Sequence, residues 1–251
     1  RVQELHEDVR VWLALNCNPP ASWLREHPDD TSTIKHEGMA YPSVGSDAWL
    51  SWTQELLQQL TQSLEGSIAE GYVNGFMLQA LEKGHWTRSK SYDQSPSHAQ
   101  GFQQWLRVHY SDVAALKVAW NEEMITEWGE ITVPTPVVPE GVLPVFYTPK
   151  TSAMFIDYHH FLNERTATMI NALAQTVREH TPESFSVSAS YGNALEYSDA
   201  ASGNWGIGVL DASLVNLLTT FPLTQEKAIG HHAFFAAPPY THTQWLSIDP
   251  V

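Results

Sequence analysis

The apolar residues of the chain follow two spacings. Short, nearly continuous apolar runs rich in β-branched and aromatic residues, typical of buried strands, lie at residues 9–16, 72–80, 185–191, 214–221 and 244–248. Between most of these runs the apolar residues recur every three or four positions, as they do along one face of a helix. Strands that alternate with helices in this way predict a parallel sheet with helices packed against it.

Helices are predicted at residues 47–64, 95–106, 112–120 and 148–180, where the apolar residues share one helical face. Serine, threonine or proline stands at or just before the start of three of them, as is common at an N-cap and in a first helical turn. The last helix has the longest apolar stripe, long enough to lie along a whole barrel wall. The proline-rich stretch before it, residues 133–149, disfavours both helix and central strand.

Long loops after the predicted strands, such as residues 84–94, favour a barrel over a dinucleotide-binding sheet. No Gly-x-Gly-x-x-Gly motif follows any predicted strand, which also disfavours the dinucleotide-binding fold. The predicted fold class is therefore α/β, of the (β/α)8 TIM-barrel type, in a single domain over residues 1–251. Because a closed barrel of this type needs eight strands and five are visible, the sequence is interpreted as an incomplete barrel or a fragment of a longer chain.

Composition and charge narrow the classes of partner. The chain has 13 Lys and Arg against 28 Asp and Glu, a formal net charge of -15, and no basic cluster, so a nucleic-acid partner is not expected. No apolar run reaches the length of a membrane span, so no membrane partner is expected either. The single cysteine, Cys17, excludes only an internal disulfide framework and leaves the compartment open.

Several motifs occur in an order that resembles one enzyme family. They lie at residues 18–30, 41–49, 75–78, 102–120 and 157–161. The most specific reads Phe-Gln-Gln-Trp-Leu-Arg-Val-His-Tyr at residues 102–110, followed by Ala-Leu and Ala-Trp. Together they are similar to the β-galactosidases of glycoside hydrolase family 42. The resemblance implies that the chain covers about the third to the seventh strand of the barrel.

Enzymes of this kind use two carboxylates, an acid and a nucleophile, and the resemblance places them after the fourth and seventh strands. Beside Trp86, His85 occupies the position of the family's glutamate, and the nearby carboxylate is Glu82, the candidate acid. Near the end of the last predicted strand, Asp249 follows Trp245 and is the weaker candidate for the nucleophile. The alternatives are an ordinary loop glutamate and a turn aspartate before proline.

Sugar-binding sites need flat aromatic rings beside hydrogen-bonding groups. Residues of these types follow or end the predicted strands, at the face where barrel enzymes build their sites. The candidate substrate-binding residues are Trp23, His85, Trp86, Tyr191, Asn193, Trp205 and Trp245. Packing in the core is the alternative for each of them taken singly. A metal at His85, His231, His232 and His242 is not favoured, because no recognised ligand spacing accompanies them, and no cofactor is expected.

The function predicted from the sequence is hydrolysis of β-linked sugars, with β-galactosides as the named candidate, by a two-carboxylate mechanism. The alternative is a catalytically degenerate barrel that binds glycans, or scaffolds an assembly, without cleaving them. The expected partner is a carbohydrate. A homo-oligomer and a larger parent chain are the two further possibilities considered.

Overall fold

The computed structural model of the protein describes residues 9–35, 38–81, 84, 86, 92–135, 149–189, 233–235 and 246–248. Within these residues five strands form one sheet, in the same order as along the chain. The strands are β1 (Val11–Asn16), β2 (Val73–Gln79), β3 (Ser186–Ala189), β4 (Ala233–Phe235) and β5 (Leu246–Ile248). The first four pair in parallel, whereas β4 and β5 pair antiparallel.

The strands agree with the sequence predictions in most places. The runs at residues 9–16, 72–80, 185–191 and 244–248 contain β1, β2, β3 and β5, with narrower bounds. The predicted strand at residues 214–221 lies outside the described residues, and β4 was not predicted. The expectation of a wholly parallel sheet is wrong for β5. Ten residues separate β5 from β4, fewer than a parallel crossover needs, so these two strands pair as a hairpin does.

The described residues also form six α-helices and two short 3-10 helices, Pro28–Asp30 and Trp128–Glu130. The α-helices are α1 (Ala21–Glu26), α2 (Asp47–Ser63), α3 (Glu65–Ala69), α4 (Pro96–His109), α5 (Val113–Trp120) and α6 (Pro149–Arg178). Four of these α-helices confirm the predicted helices, and α1 and α3 were missed because a helix of five or six residues shows almost no period. None of the described helices has the length and apolar character that crossing a membrane requires.

Side-chain capping explains where two helices begin. The Ser46 hydroxyl accepts a hydrogen bond from the Trp49 N–H at 2.8 Å, at the start of α2. The Asp112 carboxylate accepts one from the Ala115 N–H at 2.8 Å, at the start of α5. Each cap satisfies an amide that has no partner inside its own helix.

Two apolar clusters form the core, and α6 contributes to both. The first lies against the sheet and includes Trp49, Phe76, Leu78, Trp86 and Leu173. The second lies between α4, α5 and α6 and includes Phe102, Leu106, Leu116, Tyr158 and Phe161. The C-terminal half of α6 packs in the first cluster and its N-terminal half in the second, so this helix joins the sheet to the outer helices.

Gly45 lies in the loop before α2, where that loop presses on α4. A Cβ atom at this position would lie 2.4 Å from the Cα of His98 and 2.8 Å from the carbonyl oxygen of Ser97. On the other side, Arg165 of α6 donates to the carbonyls of Val44 and Gly45 at 3.1 and 3.4 Å. The loop is therefore held between two helices, with room only for glycine.

We expect Gly45→Ala to lower the free energy of unfolding by about 1–3 kcal/mol, because the added methyl group meets backbone atoms that cannot rotate away. Gly66→Ala is the matched control, since a Cβ at Gly66 in α3 meets nothing within 4 Å. It should leave stability unchanged or raise it by about 0.5–1 kcal/mol, because alanine favours helix. Urea unfolding of both variants measures the difference, and equal stabilities would show that the loop and α4 can separate freely.

Candidate functional site

The parallel strands β1 and β2 end at the same edge of the sheet. Residues 16–18 leave β1 there and residues 79–81 leave β2, and we call these six residues the rim. The two segments remain paired beyond the strands, because the Cys17 N–H donates to the Gln79 carbonyl at 2.7 Å. In barrel enzymes the loops at this edge carry the site, so the rim is the candidate functional region.

Asn18 bonds both polar groups of the Leu81 backbone. Its side-chain Nδ2 donates to the Leu81 carbonyl at 3.0 Å, and its Oδ1 accepts from the Leu81 N–H at 2.7 Å. Leu81 is only 2% exposed and has a φ of 54°, in the left-handed region that a leucine seldom adopts. The two hydrogen bonds therefore fix a backbone conformation that leucine would otherwise disfavour.

Trp86 packs beneath the rim. Its indole N–H donates to the Leu78 carbonyl at 2.9 Å, and its ring stacks on Trp49 with 5.7 Å between the ring centroids. Trp49 in turn donates to the Cys17 carbonyl at 2.9 Å. With 1% of its surface exposed, Trp86 is a core residue that closes the end of β2, and its predicted contact with a sugar stays a prediction.

Trp23 lies in α1, in the segment that follows β1. It is 8% exposed, and its ring stacks on His27 with 4.1 Å between centroids, while Trp52 lies at 6.4 Å. Trp23 and Trp86 belong to the same apolar cluster, so the structure brings these two predicted residues into one region. Contact of Trp23 with a substrate also stays a prediction.

The remaining predicted site residues lie outside the described residues: Glu82, His85, Tyr191, Asn193, Trp205, Trp245 and Asp249. Two of them border described strands or loops. Glu82 directly follows Leu81 at the rim. Asp249 follows Ile248, which pairs with Ala233 at the amino end of β4, the edge opposite the rim. The direction of β5 thus gives no support to Asp249 as a nucleophile at the rim.

Asp93 joins the chain after β2 to the loop after β1. Its Oδ1 accepts from the backbone N–H of Thr33 at 2.9 Å and of Ser95 at 3.0 Å, and its Oδ2 accepts from the Ser95 hydroxyl at 3.1 Å. Burial by itself raises the pKa of the Asp93 carboxyl. Nearby His98 and these hydrogen bonds lower the pKa by more than burial raises it, so it lies below the ordinary value. Asp93 is therefore ionised at neutral pH.

His98 is fully buried beside Asp93. Its Nε2 lies 2.9 Å from the Tyr158 hydroxyl and its Nδ1 lies 3.4 Å from the Ser43 hydroxyl. Burial lowers the pKa of His98 to about 4, although Asp93 raises it, and the charge of Arg165 lowers it as well. At neutral pH the ring is neutral and links α4 to α6 and to the loop before α2.

Sequence reasoning missed Asn18 and Asp93. The signal for Asn18 was an asparagine two residues beyond the end of a predicted strand, where a polar side chain reaches the neighbouring loop. The signal for Asp93 was Asp-Gln-Ser before Pro96, since aspartate often bonds the backbone two residues further on. Neither pattern says which distant residue is bonded, and for that the fold is needed.

A concave region lies on the helical layer, away from the rim. It is a shallow cleft of about 350 Å³ between α2, α4 and α6, lined in part by Asp47, Gln100, Trp105 and Arg165. Trp23 and Trp86, the two predicted site residues that the structure describes, do not line it. Among the residues that the structure describes, no group of three His, Cys, Asp or Glu side chains could hold a metal ion.

A sheet that is parallel over β1 to β4, with helices packed on it and polar side chains at its carboxyl edge, fits a partial TIM-barrel domain. The sequence model of glycoside hydrolase family 42, the β-galactosidases, matches residues 3–206. The chain belongs to this family. No curated protein matches the chain.

Solved structures agree on the fold. The β-galactosidase of the Antarctic haloarchaeon Halorubrum lacusprofundi has a TM-score of 0.58 at 18% identity, over 78% of this chain and 29% of its own. The β-galactosidase of Bacillus circulans sp. alkalophilus has a TM-score of 0.54 at 16% identity, over 71% and 26%. An agarase has a TM-score of 0.52 at 12% identity, over 86% and 28%. The chain therefore spans less than a third of the length of these proteins.

We expect the stability of the protein to fall between pH 6.5 and about 4 in part through His98. In this range the unfolded chain binds a proton at His98 that the folded state excludes, so the free energy of unfolding decreases as the pH falls. The contribution of one such group between pH 7 and 4.5 is roughly 2 kcal/mol. His159, whose pKa burial and the nearby His160 also lower to about 4, adds in the same direction.

Urea unfolding of the wild type and of His98→Gln at pH 7 and pH 4.5 measures this contribution. The variant should lose less stability than the wild type over this interval, because residue 98 no longer binds a proton in the unfolded state. Lower stability of the variant at both pH values is expected from the lost bond to Tyr158 and does not affect the comparison. An equal loss in the two proteins would contradict the assignment of His98 as a buried neutral ring.

Proposed function

We propose that the protein of which this chain forms part hydrolyses β-linked galactosides. Membership of glycoside hydrolase family 42 supports a glycosidase, and the structural neighbours include β-galactosidases and an agarase. The acidic chain, with its net charge of -15, is easier to reconcile with a neutral sugar than with an anionic substrate.

The reaction requires two carboxyl groups. One protonates the glycosidic oxygen as the bond to the sugar breaks, and the other, whose carboxyl group lies about 5 Å from the first, attacks the anomeric carbon to form a glycosyl-enzyme intermediate, which water then hydrolyses. The acid must still hold its proton near neutral pH, which requires an apolar or otherwise shielded environment.

Glu82 is the acid in this proposal. It directly follows Leu81, whose backbone the Asn18 side chain fixes at the rim by two hydrogen bonds. Leu81 itself lies at the edge of the sheet where barrel enzymes act, so the sequence position of Glu82 suits the acid role. The fixed position of Leu81 is the observation that supports the assignment of Glu82 as the acid.

A non-cleaving glycan-binding barrel is the second candidate. One observation favours it: His85 stands beside Trp86, where the family has its glutamate. In that case the protein would hold a sugar without the carboxyl pair that cleaves it. Asp249, the second carboxylate named from the sequence, gains no support from the direction of β5.

Glu82→Gln tests the acid through its dependence on the leaving group. Hydrolysis of phenyl β-galactoside, whose leaving group needs protonation, should fall by about 10²–10⁴-fold in kcat/KM. Hydrolysis of 2,4-dinitrophenyl β-galactoside should fall far less, because its leaving group departs without a proton. Glu70→Gln, at an exposed glutamate after α3, is the matched control and should keep both rates.

Three outcomes separate the candidates. A large, leaving-group-dependent loss supports hydrolysis with Glu82 as the acid. Equal losses on both substrates, or none, would remove Glu82 from the acid role. Background-level rates in the wild type, together with retained binding of a galactoside in calorimetry, would replace hydrolysis by the non-cleaving function.

A further inference from the structure

We propose that Asn18 is a positioning residue for the loop that follows β2, the loop that carries Glu82 and Trp86. The proposal does not require Asn18 to contact the substrate. Asn18 acts by fixing the direction in which the chain leaves the rim. Its effect on hydrolysis rests on the proposed function, whereas its effect on the loop does not.

The first step is the chemical match between the two partners. The Leu81 backbone has one donor and one acceptor. The Asn18 side chain accepts from the N–H at 2.7 Å and donates to the carbonyl at 3.0 Å. A carboxylate could accept from the N–H but not donate to the carbonyl, and an alkyl side chain could do neither. Asparagine is thus a specific choice for this position.

The second step is the conformation that the bonds hold. Leu81 has a φ of 54°, and a residue with a Cβ atom rarely adopts this value. Without the two bonds to Asn18, Leu81 is expected to return to a negative φ. Such a change redirects the chain that follows Leu81, beginning with Glu82.

The third step is the rigidity of Asn18 itself. Its backbone N–H donates to the Asn16 side chain at 3.1 Å, and the adjacent Cys17 N–H continues the pairing with β2 at 2.7 Å. Asn18 is therefore part of the end of a strand, and not of a free loop. Groups held in this way can position a neighbouring segment within a fraction of an ångström.

The fourth step concerns the far end of the same loop. Asp93 accepts hydrogen bonds from Thr33, so the chain after β2 is fastened to the segment after β1 at both ends, at Asn18 and at Thr33. Trp86, between these ends, bonds the Leu78 carbonyl. With the other two attachments in place, loss of Asn18 should displace the part of the loop next to Glu82 and leave the protein folded.

The test compares Asn18→Ala with Asn18→Asp in the full protein. At neutral pH both variants lose the bond to the Leu81 carbonyl. At low pH a protonated Asp side chain has the same donor and acceptor as asparagine, so Asn18→Asp should recover and Asn18→Ala should not. Burial raises the pKa of the neighbouring Cys17 thiol to about 12, so this group stays neutral throughout.

Two readouts do not depend on activity. Hydrogen exchange of the Leu81 amide, corrected for its intrinsic pH dependence, should be at least tenfold faster in Asn18→Ala than in the wild type. Near-ultraviolet circular dichroism should report a change at the stacked Trp49 and Trp86 rings. Unchanged exchange at Leu81 in Asn18→Ala would overturn the proposal, whatever the protein hydrolyses.

The kinetic readout is hydrolysis of phenyl β-galactoside. Because small displacements of a reacting group can cost on the order of 100-fold in rate, kcat should fall 10- to 100-fold with KM changed less than about threefold. The ratio of Asn18→Asp to wild type should rise as the pH is lowered. Thr61→Val is the matched control, since it removes a buried hydrogen bond to Leu57 far along α2, and it should leave kcat unchanged.

The outcomes distinguish this inference from the proposed function. Faster exchange with an unchanged kcat, in an active wild type, would overturn the positioning role and leave hydrolysis standing. A wild type without hydrolysis removes the proposed function, and the exchange and pH recovery at Leu81 then decide the loop-holding role alone. Loss of kcat in Thr61→Val equal to that in Asn18→Ala would reduce the effect to general destabilisation.

Discussion

The parallel pairing of β1 with β2 is the constraint on which the rest of the structure depends. Their register runs from Val11 opposite Val73 to Asn16 opposite Gln79, so the two strands end together. A slip of one residue would turn every side chain of one strand to the other face and separate Asn18 from Leu81. Trp49 and Trp86 then donate to the carbonyls of Cys17, just after β1, and of Leu78, near the end of β2, and the core below the rim packs around these two rings.

Hydrogen bonds to the ionised Asp93 carboxylate and to the backbone of Leu81 position the loops after β1 and β2. The Asp93 carboxylate accepts hydrogen bonds from the backbone amides of nearby Ser95 and of Thr33, sixty residues away. Asn18 bonds both the N–H and the carbonyl of Leu81, sixty-three residues away. His98, beside Asp93, stays neutral at neutral pH because burial lowers its pKa more than Asp93 raises it. Polar groups placed in this way define loop geometry more sharply than apolar packing does.

Sequence reasoning recovered the parts of the structure that depend on local pattern. Helix α6 was predictable because its apolar stripe persists over many turns, and β2 because seven residues of strand propensity lie between turn signals. The direction of β5 could not be predicted in the same way, since its sequence has no preference between a parallel and an antiparallel neighbour. The length of the connection to β4 decides it, and β4 itself has only three residues.

At the candidate site, too, the sequence predicted only the features that depend on local pattern. Residue types suited to sugar binding were visible in the sequence, but burial was not, and Trp86 proved to be a core residue with 1% of its surface exposed. Asn18 and Asp93 were missed because their meaning lies in contacts between distant segments. A residue that positions a loop has no characteristic motif, whereas a catalytic motif is read from neighbours in sequence.

The packing of α6 in both apolar clusters affects how the protein unfolds. Because the two halves of α6 belong to the two apolar clusters, neither cluster can lose its packing without exposing one half of the same helix. Adjacent turns of a helix share hydrogen bonds, so disorder in one half weakens the other. Because α6 belongs to both clusters, we expect the sheet and the outer helices to unfold as one cooperative unit.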